Sequence, residues 1–526
     1  MKYYWKLGKH LQNVLRHYSN TQYKPHLHSD GWEAVIGLEI HAHISSASKL
    51  FSPVGTKYGA PPNTQVGIFE SAHPGTLPVL NKKCVEAGIK TALAFGATIN
   101  KMSIFDRKHY FYPDLPAGYQ ITQLNYPLAN NGRLEFIVYN SSVHKHPYRH
   151  SVELMQIQLE EDSGKSIHDD CNNRVLVDLN RAGQPLMELV FAPELHNGEE
   201  AAAMVKEVAL ILTRIGTCNC HMYEGSLRVD ANVSVHRPDE PLGTRTEVKN
   251  LNSLRSLVKA VDFEIKRQLN ILECGGSVTC ETRSFDTLSQ KTVSMRDKDV
   301  IQDYRFMPEP NLLPLRLHDS LEPNCLYDGA LDINELRVVM PELPEATRQR
   351  LMKDYGITLE NAILFVNNDD LLNYFIAVMS CSEHNSHIVC NLMLNNLLGT
   401  LNNINVDIKD SPLTASAFSE IVDLQQSGKI VPNITQQVIN AICIGRDLRT
   451  PTQIVYENNW LQLSQDDLED LVESILSANE QLAEAYKTSK KKKKLLKALM
   501  GKVKDATDSR ANMKVVNDIL LQKLRS

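Results

Sequence analysis

The stretch Val35-Ile36-Gly37-Leu38-Glu39-Ile40-His41-Ala42-His43 places the tightest constraint on what this chain can fold into. It is rich in β-branched residues and alternates with a period of two, the pattern of a strand. Glu39, His41 and His43 then project from one face, Leu38 and Ile40 from the other. A carboxylate and an imidazole side by side on a rigid strand make half of a metal site, or an acid/base pair. A solvated strand face would carry the same pattern, so carboxylates elsewhere in the chain have to decide.

The 526 residues are enough for about three domains. From Trp32 to about residue 318, strand signals are punctuated by turns such as Pro74-Gly75, Pro113-Asp114 and Gly275-Gly276. Helical periodicity interrupts at Lys82–Phe95, Glu199–Ile215 and Ser253–Leu272. This is the signature of one large α+β domain, expected at 30–318. A helical connector is expected at 319–395: Pro344–Tyr355 ends before Gly356, and further helices cover Glu360–Val366 and Leu371–Val378. From there to residue 526 the chain reads as short helices, an all-helical tail expected at 396–526.

Residues 487–526 hold 13 Lys/Arg against 3 acidic residues, so the net charge of −6 leaves the remainder near −16. A basic end on an acidic body points to an anionic partner gripped by one part of the molecule. Lys490–Lys494 opens an amphipathic helix, which suits contact with a phosphate backbone, although a lysine run also serves solubility. No run of 18 apolar residues occurs, so no membrane span is expected. Ten cysteines occur without a C-x-x-C pair, which points to reduced thiols rather than a disulfide framework. Residues 1–29 carry Lys2, Lys6, Lys9, Arg16 and Lys24 and no acid, the composition of a mitochondrial import presequence. A basic arm on a cytosolic protein is the other reading.

Three more stretches carry carboxylates. Glu160-Glu161-Asp162 packs like charges together before Gly164, a cluster that needs a cation or protons to be stable. Glu188 lies among Leu186, Met187, Leu189 and Val190, where an unpaired charge would be prohibitive. Asp230, Asn232 and Ser234 share one face of a strand whose other face is Val229, Ala231, Val233 and Val235. Glu39, His41, Glu161, Glu188 and Asp230 are therefore the expected metal and catalytic set. Oxygen ligands with a single imidazole favour Mg²⁺ or Mn²⁺ over zinc. Phe105–Gln120 interleaves Arg107 and Lys108 with tyrosines, a mixture suited to phosphates and a stacked base, or equally to a tyrosine-rich core hairpin. Thr244–Ser253, with Lys249, leads into a helix whose N-terminus favours an anion. Arg296, Asp303, Tyr304 and Arg305 add cations and hydrogen-bonding groups. No G-x-x-x-x-G-K-[ST] loop, dinucleotide fingerprint or G-x-S-x-G elbow is present.

Taken in order, these motifs resemble the B subunit of the aspartyl/glutamyl-tRNA amidotransferases. The matching runs include Gly37-Leu38-Glu39-Ile40-His41, Asp106–Asp114, Glu160-Glu161-Asp162, Asp178-Leu179-Asn180-Arg181, Glu224–Asn232, Lys249–Ser253 and Asp303-Tyr304-Arg305-Phe306. With the presequence, the resemblance is to the mitochondrial form acting on glutamyl-tRNA(Gln). It implies a cradle-like catalytic domain, a helical connector and a tail that grips tRNA. It implies that ATP phosphorylates the glutamyl side chain of mischarged Glu-tRNA(Gln) and that ammonia then displaces the phosphate. That ammonia would come from glutamine hydrolysed by an amidase (glutaminase) partner, the A component, with a small C component joining the two, in the mitochondrial matrix. Arg107, Lys108 and Lys249 become the expected phosphate contacts. Many relatives carry four zinc-binding cysteines where Ser52, Val54, Gly67 and Glu70 stand here, so no structural zinc is expected. Two rivals remain at this point: a metal-dependent ligase acting on a small carboxylate, and a non-catalytic tRNA-binding scaffold.

Overall fold

The computed structural model describes residues 31–295, 304–321, 331–488, 492–508 and 510–525. The presequence, Arg296, Asp303 and the start of the Lys490–Lys494 run lie outside the described residues. The chain divides into two compact units between Glu345 and Ala346. The strand-rich first unit and the helical second one bear out the α+β expectation.

In the first unit, Val35–His43 forms the expected strand, β1 (Glu33–His43). It lies inside a nine-stranded sheet, between β10 (Leu227–His236) and β9 (Pro185–Phe191), both antiparallel to it. The sheet continues through β6 (Tyr148–Glu161) on one side and β11 (Thr246–Lys249) on the other. Three helices pack on its apolar face: α1 (Lys82–Ala94), α2 (Gly198–Arg214) and α3 (Leu254–Glu273). Each starts where a side chain accepts an otherwise unpaired backbone N–H, from Asn81, Asn197 and Ser253 respectively. Ile36, Leu38, Ile40 and Ala42 of β1 are buried in this core, and Glu39, His41 and His43 keep partial exposure on the opposite side.

The Arg107–Gln120 segment is a hairpin. A strand Met102–His109 pairs with Tyr119–Tyr126, and the intervening loop holds Tyr110 and Tyr112. A separate two-stranded hairpin, Lys165–Asp169 with Arg174–Asp178, follows the Glu160–Asp162 cluster.

Among its described residues the second unit contains helices only. One core gathers residues from Leu351 to Val455, among them Phe365, Phe375, Phe418 and Ile439. It runs without a break through the boundary expected at 395/396, which falls inside a π-helical turn, Leu392–Leu397. A second, smaller core joins Leu468, Val472, Leu499, Val503, Val516 and Leu520. The physical break in the helical region therefore comes near residues 461–468, where one set of apolar faces is exhausted and another begins. No helix among the described residues is long and apolar enough to cross a membrane.

Candidate functional site

The site is built from rows of side chains across the sheet. His41 of β1 stands opposite Glu188 of β9, and Glu188 opposite Gln158 of β6. On its other flank His41 stands opposite Arg228 of β10. One row along, Glu39 faces Asp230, and Lys249 of β11 reaches Asp230 at 3.2 Å. His41, Glu160 and Glu188 offer ligand atoms that all lie within 4.8 Å of one another. His41 Nε2 is 3.7 Å from an oxygen of each carboxylate.

Two carboxylates buried side by side need a proton or a cation. Burial pushes both Glu160 and Glu188 above the ordinary glutamate range, and their mutual repulsion adds to the rise at Glu188. His41 moves the other way, down to about 3, through burial and the nearby Arg228 and Lys249 charges. A neutral imidazole keeps a lone pair for a metal. These residues therefore fit a hard divalent cation such as Mg²⁺ or Mn²⁺, with oxygen ligands in the majority.

Beside this cluster lies a cavity of about 290 Å³ lined by His41, Lys108, Tyr110, Glu160, Arg228, Asp230, Lys249 and Asn250, among others. Lys108 contacts the ring of Tyr304 at 4.9 Å and has no carboxylate partner among the described residues. Lys249 is shared between Asp230 at 3.2 Å and Glu247 at 3.1 Å, and these carboxylates hold its ammonium charged against the cost of burial. The N-terminus of α3 follows directly after Asn250 and Asn252 on the cavity wall. Acidic and cationic side chains thus line the same cavity, an arrangement suited to a metal-bound polyphosphate.

The family described as the GatB/GatE catalytic domain matches residues 34–322, and the GatB domain matches residues 373–524. The chain belongs to the amidotransferase B-subunit family. Its relatives include the mitochondrial glutamyl-tRNA(Gln) amidotransferase B subunit of Homo sapiens, 48% identical over 94% of this chain and 88% of that protein. The Aedes aegypti protein of the same name is 44% identical over 95% of each chain. The aspartyl/glutamyl-tRNA(Asn/Gln) amidotransferase B subunit of Rickettsia typhi is 40% identical over 94% of this chain and 98% of its own.

Within this member of the family, the expected site residues do not all converge. His41 and Glu188 meet, while Glu39 and Asp230 face each other one row away, Glu39 accepting from Asn232 Nδ2 at 2.8 Å. Glu161 is not part of the cluster. Its Oε1 accepts from the Ile121 N–H at 3.0 Å, and it lines a separate cavity with Glu70 and Gly183. Burial lifts its carboxyl to about 8. Its neighbour Glu160 takes the place expected for it. The parity of β6 carries the signal: Gln156, Gln158 and Glu160 alternate with apolar Ile157 and Leu159, and Glu161 continues the apolar side.

Arg107, expected on a phosphate, is instead clamped by Glu309, with Nε–Oε2 at 2.5 Å and Nη2–Oε1 at 3.0 Å, and stacks over Tyr119. It does not line the cavity. Asp162 was also missed as a site residue. Its Oδ2 is 3.0 Å from both His43 Nε2 and Arg228 Nη2. Ser52, Val54, Gly67 and Glu70 do come together. The Glu70 carboxylate accepts from Ser52 Oγ and from the Gly67 N–H, the latter at 2.8 Å.

Proposed function

We propose that this chain is the component of a mitochondrial glutamyl-tRNA(Gln) amidotransferase that activates and amidates the mischarged amino acid. A carboxylate is a poor acyl donor, so its oxygen first attacks the γ-phosphorus of ATP and ADP leaves with the bonding pair. Ammonia then attacks the acyl carbon and inorganic phosphate departs, giving Gln-tRNA(Gln). The reading rests on one observation: His41, Glu160 and Glu188 offer ligand atoms within 4.8 Å of one another, and two of them, His41 and Glu160, line a cavity that also presents Lys108 and Lys249. A hard divalent cation held by these acidic residues would neutralise charge on the phosphates. Around it, Lys108 meets a phosphate oxygen, and Lys249 holds Asp230 and with it the Glu39 row.

The catalytic role belongs to the strand-rich unit, and the basic helical end holds the tRNA body by its phosphates. An amidase partner, the A component, supplies ammonia; a small C component joins the assembly, and the complex works in the mitochondrial matrix. No structural zinc is needed, because none of the four positions offers a thiol and Glu70 is occupied by hydrogen bonds to Ser52 and Gly67. The test is ATP hydrolysis by the assembled complex with glutamyl-tRNA(Gln) or with the same tRNA uncharged. Hydrolysis that depends on the glutamyl group supports the reading. ATP turnover indifferent to it would favour a ligase for small carboxylates.

A further inference from the structure

One guanidinium on the cavity wall takes no part in the metal and phosphate contacts. Arg228 stands on a rigid central strand, directly beside His41 and on the opposite flank from Glu188. Its Nη2 donates to Asp162 Oδ2 at 3.0 Å, but that oxygen is crowded. His43 Nε2 lies 3.0 Å from it and Arg181 Nε 3.4 Å. One carboxylate thus serves two guanidiniums and an imidazole. Arg181 is held further by the carbonyl oxygens of Ser163 at 2.9 Å and Gly164 at 2.5 Å. Among the described residues Arg228 has no such supplement, and its buried Nε–H finds no acceptor. Glu160 and Asp230 also act on Arg228 through their charge, but their own hydrogen bonds go to Thr122 at 3.1 Å and Lys249 at 3.2 Å. Arg228 lines the cavity with its side chain 35% exposed, so the guanidinium N–H groups that Asp162 does not take can meet an anionic ligand there.

Two anions enter this site under the proposed function, and the two available cations differ in shape. Lys108 is a point charge with no carboxylate in ion-pair contact among the described residues, suited to a tetrahedral phosphate. Arg228 is a planar fork with one edge pinned by Asp162, suited to a planar carboxylate. We infer that Arg228 is the residue that recognises the side-chain carboxylate of the aminoacyl substrate, holding it between the acidic cluster and Lys108. This rests on the proposed function and deepens it. Arg228 orients the carboxylate so that one of its oxygens forms the bond to the γ-phosphorus, while the bond to ADP breaks. No proton moves in that step, so a permanently charged group serves better than a titratable one.

The experiment uses the assembled amidotransferase without ATP and compares the affinities of glutamyl-tRNA(Gln) and uncharged tRNA(Gln). The wild type should favour the charged form by about tenfold or more, the worth of one charge-assisted hydrogen bond. Arg228→Gln should erase that preference and leave the affinities for uncharged tRNA and for ATP unchanged. Arg228→Lys, which keeps the charge but not the fork, should restore only part of it, and it gives the same reading if the glutamine variant does not fold. A wild-type preference that survives both substitutions overturns the assignment. So does a loss of ATP affinity in its place, or a wild type that does not distinguish the two tRNAs. Failure of the underlying function shows separately, as wild-type ATP hydrolysis that ignores the glutamyl group.

Discussion

Glu160 and Glu161 are chemically identical neighbours with opposite fates. Strand parity sends Glu160 to His41 and Glu188, and sends Glu161 to the Ile121 amide. Glu160→Gln and Glu188→Gln should each lower glutamyl-dependent ATP hydrolysis by about 100-fold or more, as expected for removing a group that stabilises developing charge. Glutamine hydrolysis by the partner amidase should be unchanged in both. Glu161→Gln should retain most ATP turnover, and an equal loss there would mean that the two carboxylates act together. At this scale the ligand types were legible from the sequence, because a carboxylate inside an apolar run such as Leu186–Val190 has few fates open to it. The choice between adjacent carboxylates was also written in the alternation of Gln156, Gln158 and Glu160. Arg107 was not legible, since its partner Glu309 lies far along the chain.

The helices hold the sheet through contacts that sequence periodicity does not reveal. In α3, Glu264 is buried and accepts from Arg267 Nη2 at 2.7 Å, Thr246 Oγ1 at 2.7 Å, Gln268 Nε2 at 3.0 Å and Thr292 Oγ1 at 2.9 Å. It thereby ties the helix to β11 and to the strand Lys291–Ser294. Burial opposes its charge, but the Arg267 pair and the other donors outweigh it and hold the carboxyl below the ordinary range. A depressed carboxylate stabilises the fold above its unfolded pKa, and that contribution is lost as pH falls through the folded value. Glu264→Gln should therefore cost about 3–5 kcal/mol at neutral pH, the scale for breaking a buried ion pair. The difference from wild type should shrink in strong acid, as followed by denaturant midpoints. At the start of α2, a Cβ on Gly198 would sit 2.6 Å from the Val258 carbonyl oxygen and 2.8 Å from its Cα. Backbone cannot yield as a side chain can, so Gly198→Ala should destabilise by about 1–3 kcal/mol. Thermal unfolding would read this, and an unchanged midpoint would show that α2 and α3 can separate without cost.

On the proposed reading, chemistry and tRNA grip fall to different units of the molecule. The basic helix Lys492–Ala506 exposes Lys492, Lys493, Lys494, Lys497, Lys502 and Lys504, and it buries Leu499 and Val503 against Leu468 and Val472. Removing residues 463–526 takes away that small core as a unit and should weaken tRNA binding while ATP affinity stays the same. The remaining binding should depend less steeply on salt, because fewer phosphates are neutralised. Cutting at 480 instead strips Leu468 and Val472 of their partners, so that variant should be less soluble. If tRNA affinity and salt slope are both unchanged after removal of 463–526, the basic helix has no part in binding.

By itself the sequence determined what short-range physics controls: strand parity, helices beginning near Lys82, Glu199 and Ser253, the sharp acid-to-base shift along the chain, and the chemical type of the ligands. Only the tertiary structure decided which of those ligands meet. Register across β6, β9, β1 and β10 brings Gln158, Glu188, His41 and Arg228 into one row. A one-residue slip in any of these strands would present the opposite face, so the pairing is set by burial of Ile36, Leu38 and Ile40 together with partners remote in the chain. Local periodicity carries a residue's side of the sheet, and it carries nothing about its neighbour on the next strand.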